Sequence, residues 1–191
     1  MRKMITSSFL ILFVFIALVS YATAQQTERP LTRAKVLALV AGEVLPESVI
    51  AVINRSGIAF TADIGYLSLL KEAGASAGIV TAVASANLVL PTTEESQADV
   101  EFLHSLARAG KLRVVKNYKA AIAELSPALD KPNYKASASF VAGSILLDTD
   151  HLPEAVIVYR EILQTDSDFD QWGETDRAQS CHQNMVAQAP Q

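Results

Sequence analysis

Few side chains in this sequence have the type and spacing that catalysis or metal binding requires. Cys181 and His182 could pair as nucleophile and base, but neighbouring residues of a helix point about 100° apart and do not face each other. The remaining histidines, His104 and His151, show no spacing that would place two imidazoles on one helical face as metal ligands. We therefore expect no catalytic residues, no cofactor site and no metal site, and we interpret the protein as a non-enzyme.

Two acidic clusters and one glycine-containing loop invite other chemical interpretations. Glu94 and Glu95, and the aspartates within residues 166–170, lack the glycine and the terminal glutamate of a calcium-binding loop. Helix ends and solvated turns explain them better. The loop KEAGASAG, residues 71–78, follows no strand, and its glycines do not fit a phosphate-binding pattern. We interpret this loop as a helix end followed by a turn.

The N-terminal segment predicts export. Arg2 and Lys3 give a positive start, residues 9–19 are an unbroken apolar run, and residues 22–24 spell a small-x-small cleavage site. The alternative is an uncleaved membrane anchor, but the run is shorter than the roughly 20 residues that span a bilayer. We expect cleavage after Ala24, a periplasmic or secreted protein, and no stable membrane span after cleavage.

Charge and cysteine content narrow the class of partner. The chain has 191 residues with 16 basic and 20 acidic side chains, and the predicted cleavage would remove two of the basic ones. Such an acidic protein is not expected to bind nucleic acid. Cys181 is the single cysteine, so it is either buried and inert or available for an intermolecular disulfide.

The second half of the chain contains one helical pattern twice. In KNYKAAIAELSPAL, residues 116–129, apolar side chains recur at intervals of three and four, which is helical spacing. DHLPEAVIVYREIL, residues 150–163, repeats the pattern 34 residues later. The matched pairs are Tyr118 and Leu152, Ala121 and Ala155, Leu125 and Tyr159, Ala128 and Ile162, and Leu129 and Leu163. Because residues 102–115 and 136–147 are also helical in pattern, the sequence predicts two antiparallel helical hairpins.

This arrangement resembles the tetratricopeptide repeat, a helix–turn–helix unit of 34 residues. Small side chains stand where the helices of a hairpin approach closely, at Ala109 and Gly143 and again at Ala121 and Ala155. Pro127 lies inside the second helix of the first repeat, where we expect it to kink or shorten that helix. Other departures from the family pattern are Ser105 and Ser139 in place of a bulky aromatic residue, and Asn133 and Ser167 in place of proline.

The resemblance implies that a peptide or protein segment binds on a concave surface formed by the first helix of each hairpin. The residues expected to line it are Leu103, Leu106, Arg113, Phe140, Ser144, Leu147 and Asp148. A mostly apolar groove with one arginine suggests a hydrophobic or helical ligand. An adaptor would leave Phe140 and Leu147 exposed in the monomer. The alternative is a structural envelope protein whose incompletely capped repeats form a homo-oligomer and bury both residues.

The first half of the chain is predicted to form four short helices. The predicted helix starts are Thr32, Thr61 and Ser76, and the predicted left-handed ends are Gly42, Gly57 and Gly74. The predicted core residues are Leu37, Val40, Val49, Val52, Ile53, Leu67, Leu70, Ile79 and Val83. This segment resembles a helical module that precedes tetratricopeptide repeats in some exported bacterial proteins, a likeness that implies no activity.

The sequence thus predicts an all-α protein, a short helical-hairpin solenoid preceded by a small four-helix module. The predicted boundaries are a signal peptide at 1–24, the module at 25–90, a linker at 91–97, two hairpins at 98–169, and a C-terminal capping helix and tail at 170–191. Pro91 and the polar run after it separate two patterns of different period. We therefore expect residues 98–191 to fold without residues 25–90.

Overall fold

The computed structural model describes residues 29–89 and 97–165. Outside these residues lie the predicted signal peptide, nearly all of the predicted linker, both acidic clusters, and the predicted capping helix with Trp172, Cys181 and His182. The described residues form helices and are all-α, as predicted. The helices are α1 (Arg33–Ala41), α2 (Pro46–Ser56), α3 (Ile64–Glu72), α4 (Ala77–Ala84), α5 (Gln97–Val114), α6 (Tyr118–Leu129), α7 (Pro132–Asp148) and α8 (Leu152–Thr165). None of them is both long and apolar enough to cross a membrane.

The 34-residue period appears in the backbone of the second half. Helices α5 and α6 pack as one hairpin, α7 and α8 as the next, and α6 packs on α7. Lys116 and Asp150, at equivalent positions in the two turns, have left-handed φ angles of 59° and 62°. In each turn the amide of the next residue, Asn117 or His151, donates to the carbonyl five residues earlier at 2.8 Å. The two turns therefore share one geometry.

Small residues lie where the hairpin helices touch. Ala109, Ala121 and Ala155 are fully buried. A Cβ on Gly143 would stand 3.0 Å from the ring of Tyr159, so only glycine fits against that ring without adjustment. Helix α6 runs to Leu129 with Pro127 in its last turn. The helix continues for two residues after the proline, so Pro127 does not end it, although the proline lacks the N–H that would bond the carbonyl of residue 123.

The first half is built around short bridges between extended segments. Leu31 pairs with Ile58, and Ile58 pairs with Leu88, each in parallel orientation. These pairings bring the starts of α1 and α3 together. All of the predicted core residues of this half are buried except Leu67, which is partly buried.

Most of the predicted helix starts and ends in this half are confirmed. Thr32 and Ser76 cap α1 and α4 through their side chains. For α3 the cap is Asp63 instead of Thr61, and its carboxylate accepts from the Tyr66 amide at 2.8 Å. That hydrogen bond, assisted by Arg33, lowers the pKa of Asp63. Gly57 and Gly74 are left-handed as predicted, with φ of 68° and 101°.

Gly42 is needed for close packing, a role that the sequence did not predict. Its φ is −79°, and the left-handed residue after α1 is Glu43, with φ of 55°. A Cβ on Gly42 would stand 2.5 Å from Cε1 of Phe140 in α7. Glycine is needed here for close packing between the two halves of the chain.

The two halves share one hydrophobic core. Buried residues from α1 to α4 and from α5 to α8 belong to a single cluster. Helix α1 packs mainly on α5 and α7, and α3 also packs on α5. Within the described ranges α1 packs on the apolar faces of α5 and α7, and the independent folding of residues 98–191 stays a prediction.

The repeat register predicts which alanines resist enlargement. We expect Ala155→Leu, in the fully buried contact between α7 and α8, to lower the free energy of unfolding by about 1–3 kcal/mol through overpacking. Lys119→Ala, on the exposed side of α6, should change it by less than about 0.5 kcal/mol. Urea denaturation of both variants measures the difference, and equal midpoints would show that the register is misassigned.

Candidate protein-binding surface

The residues predicted to line a concave binding face come together, but most are buried. Leu103, Leu106 and Phe140 are 4%, 0% and 0% exposed. The expectation that Phe140 would be exposed in the monomer is wrong. Ser144 is also buried, and its Oγ lies 2.9 Å from the hydroxyl oxygen of Tyr159, so it serves the contact between α7 and α8. Leu147 is partly buried, and only the side chain of Asp148 keeps appreciable exposure.

Helix α1 fills the space between α5 and α7. Its N-terminal residues lie beside Leu103 and Asn133, where they share a cavity of about 230 Å³. Its C-terminal residues meet the other end of the same helices, where a Cβ on Gly110 would stand 3.0 Å from Cβ of Ala41. Helix α1 therefore runs in the same direction as α5 and α7 and occupies the face of the hairpins that was predicted to be concave.

The sequence carried one signal for this arrangement. Residues 36–41, VLALVA, are apolar on every side of the helix, and all six are buried. A helix that is hydrophobic all round needs neighbours all round, which its own short module does not supply. The pattern indicated burial, but it did not identify α5 and α7 as the elements that cover α1.

Displacing α1 would be costly. Four of its large aliphatic side chains, at residues 36, 37, 39 and 40, are at most 5% exposed. At about 1.5–3 kcal/mol for each buried side chain, their exposure would cost about 6–12 kcal/mol. A whole domain is typically stable by only about 5–15 kcal/mol. The concave face is therefore a structural socket for α1.

Arg113 connects the end of α1, the turn that follows it and the end of α7. Its side chain is 1% exposed, and its Nε donates to Oδ2 of Asp148 at 2.6 Å. Nη1 donates to the carbonyl of Ala41 at the end of α1, at 3.2 Å. Nη2 lies 3.4 Å from Oε2 of Glu43, near enough for an ion pair but without the geometry of a hydrogen bond. The cation predicted to face a ligand is matched instead by the protein's own acids and carbonyl.

One group of accessible apolar side chains lies at the end of the molecule where the hairpins turn. Arg113, near the turn between α5 and α6, contacts Glu43 in the turn after α1 and Asp148 at the turn after α7. These three turns are therefore adjacent. The turn between α3 and α4 joins them, since a Cβ on Gly74 would stand 3.2 Å from Cγ2 of Val114. Four turns therefore meet at one end.

Large aliphatic side chains project from these turns. Leu45, Val114 and Val115 are 68%, 55% and 67% exposed, and Leu152 is 36% exposed. Two charged residues stand beside them, Lys116 and Asp150. We call these six residues, Leu45, Val114, Val115, Lys116, Asp150 and Leu152, the turn-end surface.

All four turns have the same tight backbone. In each, a left-handed residue follows the helix, and two amides donate back to carbonyls of the last turn at 2.8–3.2 Å. The left-handed residues are Glu43, Gly74, Lys116 and Asp150. This Schellman geometry satisfies the backbone of the four turns, and Arg113 contacts three of them.

A separate polar grouping in the described ranges lines a cavity between α5, α6 and α7. A cavity of about 510 Å³ lies beside the stacked rings of Phe102 and Tyr134, whose centroids are 4.4 Å apart. Arg108 on its wall is bound by Glu124 at 2.8 Å and by Ser105 at 3.2 Å, so its charge is already matched. Within residues 29–89 and 97–165, no three side chains of histidine, cysteine, aspartate or glutamate are grouped as metal ligands would be.

Comparison of the chain with family models, with curated proteins and with solved structures found no match. The likeness to tetratricopeptide repeats thus depends on the repeated residues alone, and the function has to be argued from the surface that the chain itself presents.

Arg113 provides a test of the socket. We expect Arg113→Met to lower the free energy of unfolding by about 3 kcal/mol, because it strands the carboxylate of Asp148 and the carbonyl of Ala41. Urea denaturation monitored by circular dichroism gives the value. Glu43→Gln is the matched control, since a carboxylate with 53% exposure should contribute less than about 1 kcal/mol. Equal losses in the two variants would mean that Arg113 does not hold the halves together.

Proposed function

We propose that the protein is an exported, non-enzymatic adaptor that binds protein through the turn-end surface. The observation that carries this proposal is the exposure of Leu45, Val114 and Val115, each more than half accessible on a fixed backbone. Apolar side chains grouped on a surface mark interaction sites more often than chance placement does. The proposal moves the contact away from the concave face, because α1 occupies that face.

The shape of this surface suits an adaptor. Side chains on a backbone that is already ordered lose little conformational freedom when they bind. The mixed charges beside them, Lys116 and Asp150, would form the polar rim of such a contact. Membership in the tetratricopeptide family, whose hairpins commonly bind protein, is a prediction that agrees with this role.

Export is the second part of the proposal. It is supported by the charged start, the apolar run and the small-x-small site within residues 1–24, which lie outside the described residues. Intact mass of the protein recovered from the cell envelope should correspond to a chain that begins at Gln25. A full-length species extracted only with detergent would contradict export with cleavage.

The binding role is tested by placing a charge among the anchors. We expect Val115→Asp to reduce capture of partner protein by roughly fivefold or more, because a carboxylate would be desolvated in an apolar contact. Tagged protein is cross-linked in the cells that make it, and the captured protein, including untagged copies of the chain itself, is quantified by mass spectrometry. Thermal melting monitors the fold of each variant.

Ile157→Asp is the matched control for that experiment. Ile157 is 63% exposed on α8, away from the turns, and the substitution adds the same charge. It should leave capture unchanged. If Val115→Asp captured as much as the unaltered protein while Ile157→Asp captured less, the binding surface would be the outer face of α8 and the proposal would be wrong.

A further inference from the structure

Lys116 and Asp150 are two opposite charges that the fold places at equivalent positions. They are 34 residues apart, each is the left-handed residue of its turn, and both are exposed. Neither side chain makes an ion pair or hydrogen bond within the described parts of the chain. The two turns of the turn-end surface therefore carry one unmatched positive and one unmatched negative charge.

Both residues have a backbone conformation that favours glycine, and the charge of Asp150 is also unfavourable where it stands. A left-handed backbone disfavours residues with a side chain. Glycine avoids that strain, as Gly74 does in the turn between α3 and α4. Asp150 also places a negative charge at the C-terminal end of α7, where the helix dipole favours a positive one. Local choices that oppose stability are expected at working surfaces.

The arrangement is self-complementary. In a two-fold symmetric contact each copy offers the same surface, so Lys116 of one copy can face Asp150 of the other, and the reverse pair forms as well. Val115, next to Lys116 in the chain, and Leu152, two residues after Asp150, would be the apolar neighbours of these ion pairs. These two charges cancel each other in a chain whose net charge is −4.

We propose that the partner at the turn-end surface is a second copy of this chain, in a two-fold symmetric dimer with reciprocal pairs between Lys116 and Asp150. This inference rests on the proposed function, since it names the occupant of the same surface. It also accounts for the opposite signs of the two charges, which binding to an unrelated protein would not require.

Charge reversal gives a test with a distinctive outcome. The protein is expressed with its own N-terminal leader and studied, in the form that the cell produces, by sedimentation velocity. Lys116→Asp alone would set aspartate against Asp150 twice in each dimer, and Asp150→Lys alone would set lysine against Lys116 twice. Each variant alone should dimerise about tenfold more weakly or worse.

Mixing the two variants should restore the contact. A mixed dimer has aspartates on one copy and lysines on the other, so both pairs become attractive again and a heterodimer should form. The double variant Lys116→Asp with Asp150→Lys should likewise dimerise within about threefold of the unaltered protein. Lys119→Asp, a reversal on the exposed side of α6, is the control and should have no effect.

The outcomes separate this inference from the broader function. An unaltered protein that stays monomeric at the highest soluble concentration, while Val115→Asp loses capture of a different protein, would overturn the dimer and leave the adaptor intact. A dimer that survives both single reversals and Val115→Asp would place the contact elsewhere and overturn the inference. If Val115→Asp changed neither capture nor association, both proposals would fail.

Discussion

The insertion of α1 between α5 and α7 is the contact on which the rest of the structure depends. Two helical hairpins cannot close their own apolar faces, because each repeat buries its surface only against a neighbour. Here the neighbour is a single helix, α1, whose residues 36–41 are all apolar and buried. Ala41, Gly42 and Gly110 leave room for it to approach the hairpins closely. The result is one core in place of two.

The buried Arg113 at the end of this contact fixes the position of α1 between the hairpins. An apolar helix could slide or rotate in an apolar channel with little change in energy, but Arg113 hydrogen-bonds the carbonyl of Ala41, the last residue of α1. The same guanidinium holds Asp148, so the end of α1 is fixed relative to both hairpins. Buried ion pairs add little net stability over apolar packing, and their best attested role is to select one arrangement.

The sequence predicted what depends on local periodicity and missed what depends on tertiary fit. The 34-residue register, the buried alanines 121 and 155, and the caps Thr32 and Ser76 follow from spacing and residue type, and the structure contains all of them. Gly42 was assigned to a helix end because glycine usually stands there. Its actual role, making room for Phe140, involves a residue almost a hundred positions away, which periodicity does not report.

The predicted binding face shows the same difference between what local periodicity indicates and what tertiary fit decides. The concave face was predicted by analogy with other proteins that have such hairpins, and analogy cannot register that this chain supplies its own occupant. Once α1 fills the socket, the surface left for a partner is set by which side chains the turns expose. Those turns are fixed by Schellman hydrogen bonds and by Arg113, so the element that closes the core also shapes the only end where four turns of the described chain meet. Under the proposed function, folding and recognition are therefore coupled through one arginine, and both depend on α1, the helix that the repeat pattern does not include.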